Sequence, residues 1–112
     1  MGFYRMYTGE DGHTRIEGLD LVGHPELGSL RPVKGVVFRE SPPGNFSDWH
    51  PAPRRQFVIS LAGELEIGLG DGSLHRFGPG DVRLVEDTTG YGHTTRVVSN
   101  GPSVTAVTPL ED

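Results

Sequence analysis

Glycine and proline interrupt this chain so often that no helix of ordinary length fits between them. There are 17 glycines and 9 prolines in 112 residues, about a quarter of the chain. Such a composition can signal low complexity. Here, however, the glycines follow no period, and short apolar alternating runs lie between them. That pattern predicts many short strands joined by tight turns, an all-β chain that closes as a barrel or sandwich.

The runs can be placed one by one. Phe3 to Tyr7 reads as an aromatic-rich strand, turned by Gly9-Glu10-Asp11-Gly12, with Thr14 to Glu17 pairing back or extending an edge. Gly23, Pro25 and Gly28 limit the next segment to one helical turn at most. Val33 to Glu40 is β-branched and reads as a strand, whereas Ser41 to Asp48 contains Pro-Pro-Gly-Asn and reads as a loop. From Gln56, residues Gln56, Val58 and Ser60 share one face, and Phe57, Ile59 and Leu61 the other. Both faces are largely apolar, so this strand is buried on both sides or lines a cavity. Glu64 and Glu66 alternate with Leu65 and Ile67, which leaves one face of that run in water. Gly70-Asp71-Gly72 predicts a hairpin with a type I′ turn. Ser73 to Phe77, Val82 to Val85, Thr94 to Val98 and Val104 to Thr108 complete a set of eight or more strands. We expect a single domain over 1–112, with 1–30 as an N-terminal edge segment and 33–108 as the barrel. The apolar stretch Leu19 to Leu30 is expected to cover a sheet edge or to exchange with a partner chain.

The totals exclude several classes. With no cysteine there is no disulfide, redox motif or thiolate zinc site, so a metal would be held by nitrogen and oxygen. The formal net charge of −5, with scattered lysines and arginines, argues against a nucleic-acid footprint. No apolar stretch approaches membrane-spanning length, and the opening MGFYRMYTG has no signal-peptide character. The expectation is a cytoplasmic protein that binds a small molecule and has no nucleic-acid or membrane partner.

From His50 to His93 the chain resembles the cupin superfamily of small β-barrels. The first cupin motif looks like Gly-x5-His-x-His-x3-4-Glu-x6-Gly, and Gly44, His50, Gln56 and Gly63 follow its spacing. Gly78-Pro79-Gly80-Asp81 is similar to the superfamily's Pro-Gly-Asp turn, and Gly90-Tyr91-Gly92-His93 to the Gly-x2-His of its second motif. The resemblance implies a jelly-roll barrel, a homodimer, and a site inside the barrel. The chain departs from the pattern at four places. Ala52 replaces the second histidine, Gln56 the glutamate, Thr88 a proline and Val97 an asparagine. Three histidines and a carboxylate thus become His50, Gln56 and His93.

Three chemistries compete for that site. The first is a divalent transition metal (iron, nickel, zinc or manganese) on His50, Gln56 and His93, for which every donor is neutral. The second needs no metal: His93 serves as acid–base, with Asp87 orienting its ring and Tyr91 donating a proton or hydrogen bond. Metal-free superfamily members such as the sugar epimerases are similar in pairing histidine with carboxylate. The third is ligand binding without turnover. In each, Arg54 or Arg55 is expected to point inward and bind an anion, with Gln56, Trp49 and Arg39 also facing the ligand. We expect an isomerase, cyclase or lyase using His93, with metal-dependent oxidation and simple binding as alternatives. His13, His24 and His75 are read as surface residues.

Overall fold

The computed structural model describes residues 1–111. Its strands are β1 (Phe3–Thr8), β2 (Thr14–Leu19), β3 (Val37–Ser41), β4 (Phe46–His50), β5 (Gln56–Ala62), β6 (Leu65–Gly68), β7 (Leu74–Phe77), β8 (Val82–Val85), β9 (His93–Val97) and β10 (Ser103–Pro109). The helical content is one 3-10 turn at Pro25–Gly28, where the prolines and glycines allow no more. The strands form a six-stranded sheet in the order β2-β1-β8-β5-β10-β3 and a four-stranded sheet in the order β4-β9-β6-β7.

Strand alternation and register together define the inner wall. Val58 of β5 lies opposite Arg83 of β8 on one side and Val107 of β10 on the other. Gln56 lies opposite Val85, and Ser60 opposite Thr105. Residues directly across a ladder share a face, so this set lines the interior. From the four-stranded sheet, Ile67 and Phe77 pack toward the same core, and Met6 of β1 closes it. The opposite face of the large sheet carries Arg5, Leu84, Glu86, Phe57 and Arg55.

Strand β1 runs parallel to β8, pairing Phe3 with Val82 and Met6 with Val85. The β1–β2 hairpin is thereby clamped to the segment that follows β8. The Tyr91 amide donates to the Gly12 carbonyl at 2.8 Å, and His13 bridges to Gly92.

Several expectations change here. Residues 46–48 belong to strand β4 rather than to a loop, and the turn is confined to Pro42–Asn45. β4 was hidden because most of it is exposed, so burial left no periodic apolar trace. Strand β3 starts at Val37; before it, Val33 makes only a single bridge to Leu110. The Gly70-Asp71-Gly72 hairpin is not of type I′. Among the described residues no non-glycine has positive φ; Gly72 does, at +86°, while the Gly72 amide donates to the Leu69 carbonyl. That is a turn followed by a left-handed glycine. The stretch after β2 buries no residue in its helical turn, and Val22 and Leu30 are fully exposed.

Candidate functional site

The site forms where β4 and β9 meet. Their register pairs His50 with His93, and the two imidazole centroids lie 4.7 Å apart. Gly92 makes this approach possible. Its φ is +75°, and a Cβ there would collide with the His50 carbonyl.

Each ring is held through Nδ1. The His50 Nδ1–H donates to the Asp48 carbonyl at 2.6 Å. The His93 Nδ1–H donates to Asp87 Oδ2 at 2.5 Å. A carbonyl or carboxylate oxygen only accepts, so in the neutral rings the proton sits on Nδ1 and Nε2 keeps its lone pair. Two adjacent imidazoles therefore present bare Nε2 atoms.

Asp87 is fully buried. Its Oδ2 also accepts from the Thr14 hydroxyl of β2, at 2.6 Å. Its Oδ1 is sealed from solvent and has no partner among the described residues. A buried acceptor left unmatched costs about 1–3 kcal/mol, so this half of the carboxylate is poised for a guest or a bound water.

Below the histidines, the inner wall of β5 and β8 carries more such groups. Gln56 Oε1, Ser60 Oγ and Arg83 Nε are buried without partners. Arg83 makes one long contact, from Nη1 to Met6 Sδ at 3.7 Å, and its guanidinium lies 5.1 Å from the Phe77 ring centre. Burial pushes the Arg83 pKa down to about 10, although Asp87 and Asp81 pull the other way.

The remaining expected site residues spread out. Gln56 is half-buried on the inner face, with its Oε1 sealed from solvent. Arg55 turns to the outer face, where its Nη2 reaches Glu86 at 2.5 Å, and Arg54 is exposed beside Lys34 and Val36. The inward guanidinium is Arg83, not either of that pair. Arg39 lies opposite Thr105 on β3, with its side chain in solvent. Trp49 is half exposed. Tyr91 is exposed and stacks on His13 at 4.7 Å, rather than on His93. His13 is therefore no plain surface residue, since its Nδ1 is buried without a partner. Thr14 was missed altogether, because it reaches Asp87 across 73 residues of chain. Arg83 had a detectable signal: it interrupts the apolar run Val82 to Val85.

A cleft of about 430 Å³ lies on the other side of Thr14, lined by Tyr7, His13, Ile16, Leu69 and His75 among others. It does not contain the histidine pair, and its charged groups Asp11, Arg15 and Asp71 are already partnered locally. We place the chemistry at the histidines because the buried, half-matched carboxylate of Asp87 holds His93 there.

The donor set does not match the usual cupin metal centre. Among the described residues, no three histidine, cysteine, aspartate or glutamate side chains converge. His50 and His93 would have to be completed by the neutral Gln56 oxygen, leaving an ion's charge uncompensated by its direct ligands.

No protein-family profile matches the sequence, and no curated protein matches it. Solved structures do. A cupin 2 domain-containing protein from Halorhodospira halophila superposes with a TM-score of 0.60 at 20% identity, covering 97% of this chain and 76% of that one. A sugar phosphate isomerase of the cupin superfamily from Silicibacter pomeroyi gives 0.55 at 21%, covering 91% and 61%. A cupin 2 conserved barrel domain protein from Salinispora arenicola gives 0.54 at 18%, covering 68% and 61%. The chain thus spans less than two thirds of the length of the last two. The fold is a cupin barrel of the all-β, jelly-roll kind.

Proposed function

We propose that this protein binds a small organic molecule inside the barrel and moves a proton on it with His93, as an isomerase, cyclase or lyase. The observation that carries this reading is the Thr14–Asp87–His93 chain. A buried carboxylate fixes the ring orientation and tautomer, and His93 Nε2 is left to take a proton. Protonated His93 then has an anionic neighbour at 2.5 Å, so Asp87 stabilises the cation that forms. The His50 ring, centred 4.7 Å from that of His93, supplies a second imidazole beside the first. Tyr91 is left out of these steps, since it is exposed, stacks on His13, and makes no side-chain hydrogen bond or ring contact with His93 or Asp87 among the described residues. The sugar phosphate isomerase among the structural neighbours supports an isomerase reading by analogy of fold alone.

A metal-dependent reading of His50, Gln56 and His93 is the alternative, favoured only by the two bare Nε2 atoms and the unmatched Gln56 oxygen. Both readings meet one experiment. Purified protein is assayed for metal content, then incubated in D₂O with a panel of 2-oxo acids and keto sugars, with C–H exchange followed by proton NMR. Acid–base chemistry predicts metal-independent exchange that drops on the order of 10³–10⁴-fold in Asp87→Asn, as expected when a carboxylate no longer holds the ring in its working tautomer. Exchange that survives His93→Ala would sink the assignment. About one metal per chain, lost in His50→Ala and required for exchange, would favour the alternative. Ligand-induced shifts without any exchange would leave a binding protein.

A further inference from the structure

We infer that the molecule bound in the barrel is a small carboxylate, and that its carboxylate docks on Arg83 with the Ser60 hydroxyl as a neutral donor. This rests on the reading that the barrel interior is the binding site.

The argument starts from register. Arg83 and Val58 are directly opposed, so Gln56 and Ser60, two residues to either side of Val58, are diagonal neighbours of Arg83 on the same face. Gln56 is opposite Val85, which places it diagonal to both Arg83 and the following inward residue, Asp87. Arg83 Nε, Ser60 Oγ, Gln56 Oε1 and Asp87 Oδ1 are four buried polar atoms without partners, on one continuous strip of wall. A single unmatched atom is common enough to be filled by water. A buried guanidinium with no carboxylate in contact is much rarer, because the uncompensated charge is costly. Arg83 has no ion pair among the described residues.

The same wall continues in polar residues toward the sheet edge. Ser60 pairs with Thr105, and Thr105 pairs with Arg39. This cross-strand row runs from a solvent-exposed arginine through two buried hydroxyl residues to the position diagonal to Arg83. In the adjacent row, Val58, Val107 and Val37 supply short apolar side chains. A guanidinium binds a carboxylate through two parallel N–H bonds, and the Ser60 hydroxyl can donate to a remaining lone pair, while Gln56 Oε1 accepts and is left for an N–H or O–H of the guest.

Charge balance selects carboxylate over phosphate. The interior supplies one cation, and Asp87 stands near it. With Asp87 already offsetting Arg83, a carboxylate adds one unmatched negative charge to the buried site and a phosphate dianion adds two, so the smaller excess favours the monoanion.

Pyruvate, inorganic phosphate and acetamide serve as probes, with the buried Arg83 Nε–H signal followed in ¹H–¹⁵N NMR spectra. Pyruvate is expected to shift that signal saturably, acetamide is not, and phosphate is expected to bind more weakly than pyruvate. Arg83→Lys should weaken pyruvate binding about tenfold or more, since an ammonium lacks the planar fork. Ser60→Ala, a gentler change, should weaken it severalfold in a chain that remains folded. No Arg83 shift with pyruvate, an equal response to acetamide, tighter binding of phosphate, or unchanged affinity in folded Arg83→Lys and Ser60→Ala would each overturn the inference. His93→Gln separates this from the acid–base reading. Pyruvate that binds wild type and His93→Gln alike through Arg83, with no exchange in either, upholds the carboxylate site and removes the catalyst. Exchange that needs His93 but ignores Arg83 does the reverse.

Discussion

Glu86 and Asp87 are consecutive carboxylates at the end of one strand, yet they have opposite fates. Glu86 points to the outer face, where Arg5 and Arg55 each donate to it at 2.7 Å, one to each oxygen. Both of its oxygens are matched. Asp87 points inward, where Thr14 and His93 share a single oxygen and the other has no partner. The alternation of a strand puts adjacent residues on opposite faces. Here that geometry separates a carboxylate fully matched in an ion cluster from one buried with an oxygen unmatched. A fully matched ion cluster is what stability asks for, whereas a half-matched buried carboxylate is kept where a reaction or a ligand needs it.

Substitutions can break the comparison or sharpen it. Asp87→Ala should cost most, about 3–5 kcal/mol by denaturant unfolding, because it strips the acceptor from a buried hydroxyl and a buried imidazole. A loss well under 1 kcal/mol would mean that Asp87 is no more strained than its neighbour.

Glu86→Gln should cost less, about 1–2 kcal/mol at neutral pH, because Arg5 and Arg55 are both more than a third exposed and water screens the cluster. It should also remove part of the protein's acid sensitivity. Burial pushes the Glu86 carboxyl up, but hydrogen bonds from Arg5 and Arg55 outweigh it and hold the pKa below the usual carboxylate range. The ionised group therefore contributes stability throughout the range above its unfolded pKa. That contribution is lost as pH falls through the lower, folded value. Unfolding midpoints measured from neutral pH downward should fall more steeply in wild type than in Glu86→Gln; parallel curves would refute the assignment.

Thr14→Val should have the smallest effect, about 1 kcal/mol, since Asp87 Oδ2 keeps its bond from His93. In the same protein, ¹⁵N NMR should show the neutral His93 ring still protonated on Nδ1. A shift to the Nε2 tautomer would show that Thr14, rather than Asp87, governs the ring.

Much of the barrel could be read from the chain because its core strands advertise themselves. Gln56 to Leu61 and Val104 to Thr108 are rich in the β-branched residues that buried sheets select, and both are strands. Strand β4 gave no such sign, because an exposed edge strand need not alternate. Within the site, His50, Gln56, Asp87 and His93 could be picked out by type and spacing. The inward arginine could not be chosen between Arg54 and Arg55, since both precede the strand whose phase sets direction, and Arg83 took the role instead. Thr14 lay beyond reach because its contact with Asp87 exists only after two distant parts of the chain meet.

The parallel pairing of β1 with β8 gives the protein a history as well as a shape. Phe3 is made long before Val82, yet the two must find each other to complete the large sheet. Closing so long a loop is entropically slow, so this pairing is expected among the late events of folding. The β1–β2 hairpin delivers Thr14 to Asp87 and Gly12 to Tyr91. A barrel that has formed β3 to β10 but not yet docked its hairpin would carry both histidines and a loosened Asp87. Completion of the Thr14–Asp87–His93 chain is thus tied to the last strand to arrive.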